Sequence, residues 1–189
     1  MKNQLTLGIE ITLQDKDGNI KYHLAKPADT LLKQFGTLLA GRLFKFYSTC
    51  KDTDGNVQTP PWNGFYQPGY FGVNAAAGDD ITGLVAGSDD TAVTYNDYNL
   101  ATKIPHSASG LYYPVTQISK DSPAEGHESV TRLFENRGAV DIVVKEIGLI
   151  YMTNPGSQIN YMIARDVITP VTLAPTDIMN TKYIISWLP

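Results

Sequence analysis

The sequence predicts a mainly β protein: a β-sandwich or jelly-roll of about eight to ten strands, with one helix at about 30–46 and a long aromatic-, glycine- and proline-rich loop or arm at about 50–80. Three observations lead there. Short runs alternate apolar and polar residues, the two-residue period of a half-buried strand. Turn residues separate those runs every ~8–12 positions. Only one segment carries the three- and four-residue apolar spacing of a helix. At 189 residues the chain fits a single β-rich domain, 1–189, with 50–80 as its extended loop.

The elements follow in order. Leu5, Leu7, Ile9, Ile11 and Leu13 occupy alternate positions of a first strand, and Ile20, Tyr22 and Leu24 continue the pattern as the returning one. Between them Asp15-Lys-Asp-Gly-Asn19 is a turn, with Gly18 supplying the positive φ a hairpin needs. Lys26-Pro-Ala-Asp29 opens the helix, with Asp29 or Thr30 as N-cap. Its stripe is Leu31, Leu32, Phe35, Leu38, Leu39, Leu43 and Phe46, expected to pack on a sheet. From Cys50 to Asp80 the chain holds a second turn, Asp52-Thr-Asp-Gly-Asn56, and then Pro60 to Phe71, too punctuated for a regular ladder. Removing residues 57–75 is therefore expected to leave the monomer folded but to abolish assembly.

Further strands are expected at 81–86 and 92–94 around the Gly87-Ser-Asp-Asp90 turn, with one helical turn at 95–100. An edge strand at 111–118 carries Pro114. Strands at 129–134 and 139–144 flank the hairpin-type turn Asn136-Arg-Gly138. The alternation breaks at Glu146-Ile-Gly148, which predicts a bulge. Segments 149–152 and 161–164 pair across Thr153–Ser157, and Tyr183, Ile185 and Trp187 mark a closing strand.

Charge and composition exclude several classes. The net charge of −4 disfavours general binding to nucleic acid. No stretch is long and apolar enough to span a bilayer, and the first residues lack a signal-peptide core, so synthesis in the cytoplasm is expected. Charged residues make up 18%, below the usual ~25%, which suggests a surface partly covered by partners. The single cysteine, Cys50, excludes an internal disulfide and reads as a buried or incidental thiol.

The search for chemistry returns little. His23, His106 and His127 share no ligand spacing. Asp15-x-Asp17-Gly18 and Asp52-x-Asp54-Gly55 place glycine at the fourth position rather than the sixth of a calcium loop, so both read as hairpin turns. The acid pairs Asp79-Asp80 and Asp89-Asp90 are the candidates for a cation between subunits. No Gly-x-Ser-x-Gly elbow or phosphate loop is present. Neither catalytic residues nor a cofactor are expected. Glu146 reads as a carboxylate held by backbone or arginine hydrogen bonds, with Arg165-Asp166 as the natural partner. Trp62, Phe65, Tyr66, Tyr70 and Phe71 form the candidate subunit interface, since aromatics dominate interface energetics; a carbohydrate-stacking surface is the alternative.

Several of these segments resemble structural proteins of tailed bacteriophages. Gly87, Thr91-Ala-Val93, Asp97-Tyr98 and Leu100 are similar to one pattern of tail-associated proteins. Phe134-x-Asn136-x-Gly138, followed by Ile142-x-Val144-x-Glu146-Ile-Gly-Leu149, resembles a second, and Ile163-Ala-Arg-Asp166 with Pro170-Val171 a third. The 50–80 arm has no counterpart in that pattern, and Ala86-Gly87-Ser88 stands where Gly-Ser/Thr-Gly is usual. The resemblance implies a non-enzymatic virion protein of tail, neck or capsid surface. It implies assembly with copies of itself and other virion proteins, and turn or bulge roles for Gly18, Gly87, Asn136, Gly138, Glu146, Gly148 and Arg165. A receptor- or carbohydrate-binding module is the other reading.

Overall fold

The computed structural model describes residues 4–44, 48–59, 72–122, 126–153 and 159–188. Among them the chain is mainly β. It runs β1 (Gln4–Gln14), β2 (Ile20–Pro27), β3 (Thr30–Leu31), the helix α1 (Lys33–Phe44), β4 (Cys50–Lys51), β5 (Val57–Gln58) and β6 (Gly83–Gly87). There follow β7 (Leu111–Tyr112), β8 (Gln117–Ser122), β9 (His127–Asn136), β10 (Ile142–Met152), β11 (Asn160–Leu173) and β12 (Ile178–Leu188). Four of these twelve are two-residue strands, which leaves eight longer ones.

Two antiparallel sheets make up the body. The first has the order β2-β1-β12-β9-β7, with β8 also pairing β9; the second has the order β3-β11-β10-β6. Inward residues of the first, such as Ile9, Ile11, Phe134, Met179 and Tyr183, join those of the second, such as Leu84, Val144, Ile147 and Leu149, in one core. The arrangement is consistent with a β-sandwich.

The β1–β2 hairpin forms as expected, with Ile11 opposite Leu24 and Leu13 opposite Tyr22. At its turn the Asp15 carboxylate accepts the Asp17 and Asn19 N–H groups, both at 2.9 Å, and Gly18 has φ +84°. The β4–β5 hairpin repeats this turn almost atom for atom. Asp52 accepts the Asp54 and Asn56 N–H groups at 3.0 and 2.9 Å, and Gly55 has φ +85°. Thus 50–58 is hairpin rather than loop. Beyond it, Val73 and Ala75 are buried and the Ala75 carbonyl accepts Thr116 N–H at 2.9 Å. A deletion of 57–75 would therefore cut into the core, contrary to the expectation from composition. The aromatic stretch 60–71 lies outside the described residues.

The helix begins later than expected. Asp29 is not its cap: its carboxylate accepts Val167 N–H at 3.1 Å and pairs with Lys26, tying the chain to β11. The Lys33 N–H is satisfied by the Tyr95 carbonyl instead, at 3.0 Å. The buried face also differs. Leu32 and Leu38 go inward together with Gln34 and Thr37, while Leu39 is 41% exposed. Docking on β11 and β4 selected a face shifted from the apolar stripe.

Asn136 ends β9, but the turn after it is no hairpin, because β9 and β10 belong to different sheets. It is a corner where the chain changes sheet, and it lies beside a second such corner, which joins β11 to β12. Asn136 fastens both. Its amide donates to the carbonyls of Val140 and Leu173, each at 2.8 Å, and its Oδ1 accepts Gly138 N–H at 2.9 Å. Its own backbone exchanges hydrogen bonds with Thr176 and Asp177 of the second corner. A bulge does occur near Glu146, between Val144 and Glu146. Gly148 serves another purpose: a Cβ there would lie 2.6 Å from Met162 Cε and 3.0 Å from Leu100 Cδ2. Pro114 splits the expected 111–118 strand into β7 and β8, and 92–100 forms neither strand nor helix.

Candidate functional site

Four of the residues singled out along the sequence, Gly87, Asp97, Glu146 and Arg165, converge at one place. On β10, Glu146 stands opposite Gly87 of β6. Its side chain folds over that glycine, where an added Cβ would meet Glu146 Cγ at 2.5 Å and Cδ at 2.7 Å. From there Oε1 accepts Thr102 N–H at 2.8 Å and Oε2 accepts Ala101 N–H at 3.1 Å. Arg165, on the neighbouring β11, reaches the same Oε2 with Nε at 2.9 Å and Nη2 at 2.8 Å. Its Nη1 donates to Asp97 at 2.6 Å and its Nη2 to the Thr91 carbonyl at 3.0 Å. Asp97 in turn accepts both the N–H and the hydroxyl of Thr94, at 3.0 and 2.6 Å.

Glu146 and Arg165 are buried, at 0% and 2% exposure. Burial acts against the Arg165 charge, but hydrogen bonds to Asp97 and Glu146 outweigh it and raise its pKa. Burial also pushes Asp97 up, and the bonds from Thr94 and Arg165 reverse that, leaving its carboxyl below the usual value. Such a knot fastens the 88–104 stretch to the second sheet. With four donors on the Glu146 carboxylate, its chemistry is that of a clamp.

A second node lies one residue on. Asp166, fully buried, accepts Tyr183 O–H and Asp29 N–H, both at 2.5 Å, with Lys26 Nζ at 3.8 Å. Desolvation raises its carboxyl above the ordinary value. Since Tyr183 is on β12, this contact ties the two sheets together through the core.

Arg132 was not singled out from the sequence. It sits on β9 in phase with Val130 and Phe134, points inward, and is 1% exposed. Five backbone carbonyls surround it: Pro114 at 2.7 Å, Leu84 at 2.9 Å, Asp79 at 2.6 Å, Ala76 at 3.1 Å and Thr82 at 3.4 Å. Its guanidinium carbon also lies 4.9 Å from the Tyr113 ring centre. Burial lowers its pKa. The one available signal was a cation in the inward phase of an otherwise apolar strand.

The remaining predicted residues are dispersed. Gly18 and Asn136–Gly138 act in turns and corners, as above. Trp62, Phe65, Tyr66, Tyr70 and Phe71 lie outside the described residues. Cys50 is buried, and desolvation pushes its thiol up to about 11. Of the acid pairs, Asp79 accepts Ile81 N–H, Asp80 accepts His106 N–H and pairs with Lys103, Asp89 accepts Thr91 N–H, and Asp90 pairs with Lys145. Among the described residues no group of three or more His, Cys, Asp or Glu converges as a metal site.

The edges of the two sheets differ. In the second sheet β6 is closed off: the Ala86 carbonyl accepts Ile104 N–H, and Gly87 bridges to Lys103. In the first sheet no described strand lies beyond β2 or β8. Their apolar residues Ile20 and Ile118 are 65% and 50% exposed.

Comparison with protein-family models finds no match, and comparisons with curated proteins and with solved structures find none.

Proposed function

We propose that this chain is a non-enzymatic structural protein of a tailed-phage particle, in its tail, neck or capsid surface, acting through assembly with copies of itself and neighbouring virion proteins. It is made in the host cytoplasm and resides in the virion. On this reading the two sheets form one jelly-roll-like domain, with the 60–71 aromatics as a contact arm. Neither membrane nor nucleic acid is a partner.

The observation that carries the reading is that, among the described residues, no strand lies beyond β2 or β8 at the edges of the first sheet. β2 has eight residues and β8 six, each with an exposed apolar side chain. Long edges without a neighbouring strand are templates for strand addition. A head-to-tail contact between β8 of one subunit and β2 of the next would generate a ring or a tube. The ionic knot supports the same reading, because it gathers residues of all three resembling segments into a shape-fixing clamp.

Electron microscopy with light scattering on the purified protein tests this. Rings, tubes or shells are expected. Ile20→Lys and Ile118→Lys should abolish them while leaving the melting temperature unchanged, because both side chains are exposed. A wild-type chain that stays monomeric and does not bind virion proteins would overturn the proposal.

A further inference from the structure

An open cleft of about 440 Å3 lies between the β4–β5 turn and residues 91–101, with Arg165 at its base. Small-molecule sites usually measure about 300–1,000 Å3. The cleft is built from two kinds of group. Some are engaged and hold its walls. Asp97 is bound by Thr94 and Arg165, and Asn99 donates to the Thr53 carbonyl and accepts Leu100 N–H, both at 2.9 Å. Tyr98 is held by Lys51, whose ammonium lies 4.7 Å from the ring centre, and by the Gly55 turn, where a Cβ would lie 3.2 Å from its Cε2.

Other groups have unused capacity. The Asp54 carboxylate and the Asn96 carboxamide, both on exposed residues, and the Tyr98 hydroxyl have no hydrogen-bond partner among the described residues. Arg165 uses four of its N–H groups on Glu146, Asp97 and Thr91, and the second hydrogen of Nη1 has no acceptor there. An acceptor-only group, a mixed amide and a phenol thus line one space, with the spare donor of Arg165 at its base.

We propose that this cleft binds a neutral sugar unit of a glycan. Each sugar hydroxyl both donates and accepts, so it can use this mixture as few other ligands can. Asp54 accepts from hydroxyls, Asn96 takes either role, and the spare Arg165 hydrogen donates. Charge narrows the class further. Among the lining residues Asp54 and Asp97 outnumber Arg165 by two to one, which disfavours an anionic ligand. The proposal does not depend on the assembly reading and uses none of the 60–71 aromatics.

The test is an NMR titration of the 15N-labelled full chain with neutral hexoses, N-acetylhexosamines, sialic acid and calcium chloride, each alone. Neutral sugars should give saturable shifts confined to the amides of 53–55 and 91–101, with sialic acid much weaker. Asp54→Ala should weaken binding about tenfold or more, the loss typical of a hydrogen bond to a charged group, and Asn96→Ala several-fold. Both residues are exposed, so the remaining spectrum should stay unchanged. Four results would overturn the proposal: no saturable shift with any sugar, shifts located elsewhere, shifts from calcium alone, or binding that survives both substitutions.

Discussion

Replacing Arg132 by alanine removes a buried cation that has only carbonyl oxygens as hydrogen-bond partners. Four of the five lie within 3.1 Å, and Ala76 retains a second donor in Asp79 N–H. Three carbonyls, those of Pro114, Leu84 and Asp79, are left without the guanidinium. At about 1–2 kcal/mol for each stranded acceptor, the loss is about 3–6 kcal/mol. Domains have about 5–15 kcal/mol in total, so the variant should fold but stand close to its limit. Urea denaturation followed by tryptophan and tyrosine fluorescence measures this. The empty carbonyl ring should then accept free guanidinium ion. With a Kd of about 10 mM, about 50 mM guanidinium restores about 1 kcal/mol, while its denaturing action at that concentration is only about 0.2 kcal/mol. Sodium chloride at the same ionic strength should restore nothing. A loss below about 1 kcal/mol, or equal responses to the two salts, would refute the idea that these carbonyls depend on the cation.

Other outcomes follow from the same geometry. Arg165→Met should destabilise by about 3–5 kcal/mol by stranding Glu146, and adding Glu146→Gln should recover part of the loss in a double-mutant cycle. Gly148→Ala should lose about 1–3 kcal/mol through its contact with Met162, with Met162→Ala partly compensating; additive losses in urea melts would refute this. Asp97 and Asp166 should respond oppositely to pH. Asp97 is held below 3.8, so its contribution is present above that value and lost as pH falls through the folded value; the wild-type advantage over Asp97→Asn should vanish in strong acid. Asp166 is raised above 3.8, so its contribution is full below that value and lost as pH rises through the folded one. The stability of Asp166→Asn relative to wild type should therefore improve from about pH 4 to pH 7 in urea melts, and a flat difference would contradict it.

Local rules were legible in the sequence and non-local ones were not. The β1–β2 hairpin could be read because alternation and an Asp-Gly turn are both encoded within about twenty neighbouring residues. Asn136 could be recognised as a turn residue, but nothing nearby says that β9 and β10 enter different sheets. Glu146 and Arg165 were identified as a network. Their partners Ala101 and Thr102 contribute only backbone, which has no sequence signature. Arg132 escaped notice because a charged residue in a strand normally faces water, and the carbonyls that admit it inside come from two other stretches, 76–84 and Pro114. The helix lies within the expected 30–46, but the docking surface of β11, and not the apolar stripe alone, chose which of its residues turn inward.

The pairing of β1 with β12 bears on mechanics. Gln4 faces Leu188 and Gln14 faces Ile178, so the two strands run in opposite directions with Gln4 and Leu188 side by side. A pull between those two residues opens the ladder one rung at a time, like a zipper, and meets little resistance. Tension along the axis of β2 or β8 instead strains many bonds together, in shear. Joints along those flanks, rather than around Gln4 and Leu188, would therefore carry load best in any assembly of this chain.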